Sequence, residues 1–234
     1  MAKLEWGVTH ERCIENGVKQ VVVYPMNGTG SYDPGISWTG VAGITMSPTG
    51  AERTSIFADD RRYLNLYSVE ELGMTIDAFT MPDEFKHCNG IITVIPGVDI
   101  RQQDRQAFGL CYRTNIGDDT SDKVGYKLHL IYSALSLMSE LVFSSQSDAT
   151  DPTMYAFELT TLPVHVTGLK PAEVVIINSL VANKVRLKEI ENILYGDSDH
   201  DPRLPFPEEI VAILTIGYGR YDVARSDYDA CYYT

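Results

Sequence analysis

The sequence has few cationic residues and no long apolar run. It contains 19 Lys and Arg and 32 Asp and Glu among 234 residues, which gives a formal net charge of −13. A surface of this charge repels phosphate backbones and anionic headgroups, which disfavours tight binding of nucleic acid or acidic membrane. The most apolar run, Ile210–Ile216, is far shorter than the roughly 20 residues that span a bilayer. Because Met1–Trp6 also lacks an apolar signal segment, we expect no secretion signal and no membrane insertion.

Cysteine is scarce, and its spacing gives no metal signature. The four cysteines, Cys13, Cys88, Cys111 and Cys231, lie far apart without a Cys-x-x-Cys pair. We interpret them as reduced thiols of a protein made in the cytosol, with Cys88 and Cys111 either in the core or meeting across strands. Zinc sites need closely paired ligands, and adjacent His87 and Cys88 rarely bind one ion. The other histidines considered are isolated: His10, His129, His165 and His200.

Sequence motifs of nucleotide-binding and hydrolytic enzymes are also missing. No Gly-Lys-Ser/Thr occurs, and Gly28–Gly30 is not followed by the third glycine of a dinucleotide fingerprint. The nearest match to a Gly-x-Ser-x-Gly elbow, Gly35–Gly40, is one residue too long. Glu140 and Glu158 could form an acid–base pair, but no pattern places them together. We therefore predict no enzyme activity, no cofactor, and no catalytic, cofactor-binding or metal-ligating residues.

The acidic segment Asp197–Asp201 has the spacing of part of a calcium-binding loop. Counted from Asp197, acids occupy positions 1, 3, 5 and 12, the last being Glu208. Position 6 is Pro202, however, where an EF-hand requires glycine for a sharp turn. We therefore predict a solvated turn that ends a helix.

The chain does show apolar and polar residues alternating with a period of two, which is typical of strands. The alternation is clearest in Phe108–Ile116, Tyr126–Tyr132 and Tyr155–Thr161. Weaker alternation predicts strands at Glu5–His10, Val18–Tyr24, Thr39–Ser47, Ser55–Ala58, Arg62–Tyr67, Gly73–Thr80, Ile91–Ile95 and Ala172–Asn178. Turn residues separate several of them: Glu15–Gly17, Ser47–Gly50 and Asn89–Gly90.

Helix signals are few. Leu187, Ile190 and Leu194 share a helical face, and with Asn183 as N-cap and Gly196 as stop they predict a helix over about 184–195. Two other segments also have helical character: Pro207–Glu209, which opens a second helix, and Pro82–Cys88, a short piece. We therefore predict a mainly β fold, an antiparallel β-sandwich or partial barrel with one or two flanking helices.

The Gly-, Ser-, Asp- and Pro-containing stretches between these elements are short. They are Met26–Ser37, Gly117–Asp122, Ser144–Pro152 and Gly196–Pro207. We interpret them as loops within one domain that spans residues 1–234. The Tyr-rich segment 218–234 has no clear periodicity, and we expect it to dock on its own domain or on a neighbouring subunit.

Residues 38–214 carry a set of short segments in a specific order and spacing. The central segment is Gln102–Thr120, continued by Gly125–Ala134. The flanking segments are Phe57–Asp60, Thr75–Phe79, Met81–Phe85, Glu158–Val164, Ile193–Gly196 and Asp201–Pro205. Together they resemble the major tail protein (tail tube protein) family of long-tailed bacteriophages. Residues 1–37 and the segment 218–234 match this family less well.

The resemblance implies a phage tail-tube fold and a structural role in the virion tail, after synthesis and assembly in the host cytoplasm. The implied assembly is a tube of stacked hexameric rings, through which double-stranded DNA passes without specific binding. The implied partners are further copies of the chain, the tape measure protein, the tail terminator and baseplate or distal tail proteins. An acidic chain suits such a conduit, and ring closure removes free sheet edges.

Two polar, glycine-containing loops between strong strands are candidates for contacts between rings: Gly117–Asp122 and Pro96–Ala107. We also expect the residues that line the lumen to be mostly acidic or neutral. Two alternatives stay open, a soluble β-sandwich module that binds a small ligand or glycan and a hydrolase on a β scaffold. Oligomers that grow with concentration favour the tube, whereas a monomer with ligand-shifted melting favours the binding module.

Overall fold

The computed structural model describes residues 13–50, 53–67, 70–119, 121, 123–138 and 152–216. The first strands are β1 (Ile14–Pro25), β2 (Ile36–Trp38), β3 (Val41–Gly50), β4 (Arg53–Ala58), β5 (Arg61–Tyr67) and β6 (Glu70–Ala78). Helix α1 (Phe85–Cys88) precedes β7 (Ile92–Ile95), β8 (Val98–Ile100), β9 (Phe108–Gly117), β10 (Gly125–Met138), β11 (Tyr155–Thr161) and β12 (Val174–Asn178). Helices α2 (Lys184–Tyr195) and α3 (Pro207–Thr215) follow.

Eight of the described strands form one antiparallel sheet. Seven strands follow one another in the order β2-β1-β9-β10-β11-β6-β3. The eighth strand, β12, pairs with β10. Strand β10 pairs with β12 through Lys127–Ile131 and with β11 through Ala134–Met138. Between these stretches Ser133 has a φ of +48° and the register to β9 shifts. A bulge bends a strand and increases the local twist of the sheet. The sheet curves, since β1 and β3 contact each other although they lie far apart in strand order. The fold is mainly β and antiparallel with few helices, as predicted.

Two buried clusters lie on opposite faces of the sheet. On β1, Val21 and Val23 belong to the first cluster, whereas Val22 and Tyr24 belong to the second. The first cluster contains Trp38, Met74, Ile76, Phe85, Phe108, Leu110, Ile131, Phe157 and Leu159. The second joins the sheet to α2 and α3 through Cys111, Leu128, Leu130, Tyr132, Leu187, Ile190, Leu194 and Ile210. Because both faces of β9 and β10 are covered, β9 is buried over most of its length, and in β10 only Leu137 is exposed.

The two longer helices begin where the sequence predicts. The Asn183 side chain accepts hydrogen bonds from the amides of Val185 and Arg186 at 3.0 and 3.3 Å, which satisfies two free donors of the first turn. Pro207 opens α3, and acidic residues follow in its first turn. The short piece predicted at Pro82–Cys88 is confirmed as α1 over its last four residues.

Several predictions about local structure need correction. The expected turn at Glu15–Gly17 lies inside β1, where the register to β9 shifts. The expected turn at Ser47–Gly50 is the end of β3, paired with β6. The loop predicted at Met26–Ser37 includes the start of β2, and Pro96–Ala107 includes β8. These errors share one cause, since turn-forming residues also occur at bulges and sheet edges.

The cysteine prediction holds only in part. Cys13 is disulfide-bonded, so the interpretation of four reduced thiols is wrong for this residue. Cys88 and Cys111 are free and buried, and they belong to different clusters, so they do not meet. Burial raises the pKa of both thiols to about 12, which keeps them protonated and unreactive.

Several sequence predictions lie outside the described residues, and another stays untested. Those outside are the strand at Glu5–His10, the reduced thiol at Cys231, positions 144–151 of the loop Ser144–Pro152, the partnership of Glu140 with Glu158, and the docking of the Tyr-rich segment 218–234. Glu158 itself is an exposed residue of β11. The single tail-tube domain over residues 1–234 stays a prediction.

Candidate assembly surface

Among the described residues, none of the sequence-derived catalytic or metal candidates forms a grouped site. No group of three or more His, Cys, Asp and Glu is placed to hold a metal ion in this part of the chain. In the calcium-like segment, one Asp197 oxygen accepts the backbone amides of Asp199 and His200, both at 2.9 Å. Glu208 instead contacts His165 and Thr167. The segment is therefore a self-bonded turn after α2, as predicted.

The most distinctive surface is a hairpin that extends from the sheet. Strands β3 and β6 pair until Gly50 faces Glu70, and β4 and β5 then pair with each other as a separate two-stranded sheet. We call residues 53–67 the arm. Within the described part of the chain, neither buried cluster contains a residue of the arm. The arm therefore continues the β3–β6 hairpin beyond the core.

The arm exposes an unusual amount of apolar surface. Ile56 pairs with Leu64, and Leu66 lies two residues further along the same face. These three side chains are 41–48% exposed, and Phe57 and Tyr63 are 65% and 76% exposed. An isolated two-stranded hairpin is at best marginally stable in water. Exposed apolar groups of this number on such an element are typical of an interaction surface.

A second hairpin, β7–β8, is also largely apolar and exposed. Ile92 pairs with Ile100, and all the residues of both strands are exposed. Lys86 of α1 holds this hairpin through a 3.0 Å ion pair with Asp99, and the Thr93 hydroxyl also hydrogen-bonds to Asp99. Its second strand, β8, lies within Pro96–Ala107, which the sequence pattern predicts as a polar loop. The loop candidate Gly117–Asp122 begins at the last residue of β9, and in its described part Asp118 accepts the Ser121 amide at 2.7 Å.

One face of the sheet is polar and acidic. Where β3, β6 and β11 run side by side, Thr45 pairs with Thr75, which pairs with Glu158. Paired residues share a face, and here it also carries Glu71 and Asp77. We call this the acidic face: Gly43, Thr45, Ser47 and Thr49 of β3, Glu71, Gly73, Thr75 and Asp77 of β6, and Ala156, Glu158 and Thr160 of β11. It has three carboxylates and no Lys or Arg, and α2 and α3 pack on other strands.

A partly buried ionic cluster lies where β1, β9 and β10 meet. Glu15 accepts hydrogen bonds from Lys127 at 2.6 Å and from Thr114, and His129 Nε2 lies 3.2 Å from the same carboxylate. The His129 ring stacks on Tyr112 with 4.6 Å between centroids. His129 Nδ1 is buried and has no hydrogen-bond partner among the described residues. This histidine is a packed strand residue, as its position in the alternating pattern predicts.

The cluster makes the fold sensitive to acid. Burial lowers the pKa of His129 and outweighs the opposite effect of Glu15, because a second ring proton at Nδ1 would be buried without an acceptor. Burial disfavours the Glu15 charge as well, but the hydrogen bonds from Lys127 and Thr114 prevail and lower the pKa of its carboxyl. Both pKa values lie below those of the unfolded chain, so both groups stabilise the fold at neutral pH and lose this contribution as the pH falls.

We expect the free energy of unfolding to fall as the pH drops below about 6.5, the ordinary histidine pKa. Below about 4.5, Glu15 should add a further loss. His129→Gln keeps a donor toward Glu15 without titrating, so it should flatten the decline between pH 7 and 5. Urea unfolding at both pH values measures this, with exposed His87→Gln as the control. An equal decline in the wild type and His129→Gln would contradict the assignment.

No described helix has the length and apolar character needed to cross a membrane. Neither a protein-family model nor a curated protein sequence matches the chain. The chain is similar to a chain of the sheath–tube complex of an extracellular contractile injection system (PVC) in the extended state. That similarity has 8% identity and a TM-score of 0.34, and it covers 68% of this chain and 88% of the other.

A second similar structure is a chain of the baseplate of the anti-feeding prophage (AFP). Its identity is 11% and its TM-score 0.38, with 76% of this chain and 97% of the other covered. At these identities and TM-scores, neither similarity assigns a family or a function to this chain.

Proposed function

We propose that this chain is a non-enzymatic, structural subunit that self-assembles into a phage-tail-like tube. The observation that carries the proposal is the arm, an apolar hairpin that extends from the β3–β6 pair without joining either buried cluster. Burying such a hairpin against another copy removes apolar surface from water, at about 25 cal/mol per Å². Among the described strands, β2 and β3 lie at the two ends of the sheet order, and we assign these edges to pairing with neighbouring copies in the same way.

The assembly we propose is a stack of hexameric rings, as the resemblance of the sequence to tail tube proteins implies. A cyclic head-to-tail interface closes into a ring, whereas stacking of rings is open and generates a filament. The arm, and also the β7–β8 hairpin, are the surfaces we assign to contacts between copies. The predicted role of Gly117–Asp122 in contacts between rings stays a prediction.

We further propose that the acidic face lines the lumen of the tube. Its carboxylates, Glu71, Asp77 and Glu158, lie among small and hydroxyl side chains of the paired strands. A lumen of this chemistry repels the DNA backbone and leaves double-stranded DNA free to pass. A map of the assembled tube with Lys and Arg along the bore would contradict this proposal.

The remaining partners are proposed on the same resemblance. A tube in a virion tail needs an internal ruler, a terminator at one end and a baseplate or distal tail protein at the other. We therefore propose the tape measure, tail terminator and baseplate proteins as partners, with assembly in the host cytoplasm. No direct role in DNA chemistry is proposed for the chain.

We expect rings or hollow tubes of uniform width when the purified chain is viewed by negative-stain electron microscopy across a concentration series. Light scattering on the same samples should show oligomers that grow with concentration and without added ligand. A monomer at every concentration would contradict unaided self-assembly. A monomer whose melting temperature rises with a small ligand or glycan would favour the binding-module alternative.

A further inference from the structure

A surface cavity of about 270 Å³ opens at the base of the β7–β8 hairpin. Its wall consists of Asn89–Ile91, Arg101–Gln103, Arg105 and Met138. The backbone of this wall is fixed, because Gly90 accepts the Gln103 amide at 3.0 Å and has a φ of +68°. A Cβ on Gly90 would lie 2.7 Å from the Gln103 carbonyl oxygen, so only glycine fits here. The backbone of the fold therefore fixes the position of this wall.

The cavity has two guanidinium groups and no acidic residue in its wall. Arg101 Nη1 lies 3.9 Å from the Met138 sulfur, and neither Arg101 nor Arg105 forms an ion pair within the described residues. The nearby Asp99 carboxylate is already bound by Lys86 at 3.0 Å. Asp99 also interacts electrostatically with Arg101, but the wall itself holds two cationic groups and no acidic one, which is a local excess of positive charge in a chain of net charge −13. Guanidinium groups bind carboxylates through paired, charge-assisted hydrogen bonds.

The tip of the arm carries carboxylates, which are complementary to the guanidinium groups of the cavity. Asp59 and Asp60 connect β4 to β5, and both have left-handed backbones, with φ of +51° and +57°. This is the signature of a two-residue type I′ hairpin turn, which tolerates Asp and Asn and places both side chains at the apex. Both residues are exposed. The arginines Arg61 and Arg62 follow directly, so a pair of acidic groups stands next to a pair of basic groups near the tip.

The arm and the cavity lie toward opposite ends of the sheet. The arm leaves β3 and β6 where Gly50 pairs with Glu70. Met138, in the cavity wall, pairs with Phe157, which pairs with Ile76 near the other end of β6. Six residues separate Ile76 from Glu70, a distance of about 20 Å along a strand. A contact between arm and cavity therefore joins two copies head to tail, and such an interface can propagate.

We propose that Arg101 and Arg105 of one copy bind the Asp59 and Asp60 carboxylates at the arm tip of the next copy. The proposal rests on the self-assembly proposed above and names the polar contact that accompanies burial of the apolar arm. Asp104, exposed and adjacent to Arg105, supplies the acidic group for Arg61 and Arg62. In this pairing, groups of both signs on each surface meet opposite charges, which fixes the register of the contact.

A double-mutant cycle measured by sedimentation velocity tests the contact. Asp59→Asn with Asp60→Asn keeps the turn and removes both charges, and it should weaken association by about tenfold in the wild-type background. Arg101→Glu with Arg105→Glu should weaken it by about a hundredfold, because carboxylates then face carboxylates. In that reversed background the Asn pair should strengthen association, since it relieves the repulsion.

The matched control is Asp199→Asn with Asp201→Asn, two exposed acids in the turn between α2 and α3. This control makes the same change in net charge and should leave association unchanged. Circular dichroism of every variant should match the wild type. If the wild type associates and the Asn pair acts with the same sign in both backgrounds, this contact is wrong while self-assembly stands. A wild type that stays monomeric at every concentration overturns both.

Discussion

Replacing Phe85 with alanine should lower the free energy of unfolding by about 3–5 kcal/mol. The Phe85 side chain is 1% exposed, and its ring lies against Trp38 at 4.6 Å, Phe108 at 5.0 Å and Phe157 at 5.5 Å between centroids. Truncation removes one ring and leaves a cavity that these rigid neighbours cannot close. A domain of this kind has a total stability of about 5–15 kcal/mol, so the loss is a large fraction.

Phe85 also anchors the short helix α1. Four residues cannot form a stable helix without tertiary contacts, and Phe85 and Cys88 are the buried residues of this one. Lys86 of the same helix holds the β7–β8 hairpin through Asp99. Loss of the Phe85 ring should therefore loosen this hairpin together with the core.

Urea unfolding followed by circular dichroism measures the effect of Phe85→Ala. Phe79→Ala is the matched control, because it removes the same ring from a side chain that is 46% exposed. The control should cost less than about 1 kcal/mol. A similar cost for both variants would show that Phe85 is not part of a tightly packed core.

Much of the sheet is predictable from sequence, because alternation reports burial directly. The predicted faces of Phe108–Ile116 and Tyr126–Tyr132 are those that the two clusters bury. The helix over about 184–195 has both its cap and its end as predicted, since an Asn N-cap and a glycine stop act locally. These features depend on residues close together in the chain.

The remaining features depend on long-range pairing that no local pattern contains. Alternation predicts a strand at Ser55–Ala58, but it does not show that this strand lies outside the core. An exposed phenylalanine such as Phe57 has the same place in the pattern as a buried one. The short β2 is held by pairing to Val21–Val23, and a three-residue strand has no period to detect. The cavity at Arg101 and Arg105 forms only because the chain returns to Gly90.

Removing the arm should abolish self-assembly without unfolding the chain. Because Gly50 and Glu70 are paired neighbours, a two-residue Asn-Gly turn can replace residues 51–69 and close the β3–β6 hairpin directly. Among the described residues, the core clusters contain none from the arm, so melting and circular dichroism should stay close to the wild type. We expect the association constant to fall by at least about a thousandfold, which corresponds to ~4 kcal/mol.

The size of this effect follows from the apolar side chains that the arm would bury. Fully burying one large apolar side chain contributes about 1.5–3 kcal/mol, and the arm exposes Ile56, Phe57, Tyr63, Leu64 and Leu66. Association costs translational and rotational freedom, so only part of this gain stabilises the assembly. Even so, the loss of several such groups exceeds what the polar contact at the arm tip supplies.

Sedimentation velocity and negative-stain microscopy of the truncated chain measure this loss. A subtler variant, Ile56→Ser with Leu64→Ser, tests the apolar face while keeping the turn and its carboxylates. Its control is Leu169→Ser with Val185→Ser, two side chains that are each 73% exposed outside the arm. Because the control removes comparable apolar surface, it should assemble normally. Tubes of normal width from the truncated chain would show that the arm is not needed and that other surfaces hold the copies together.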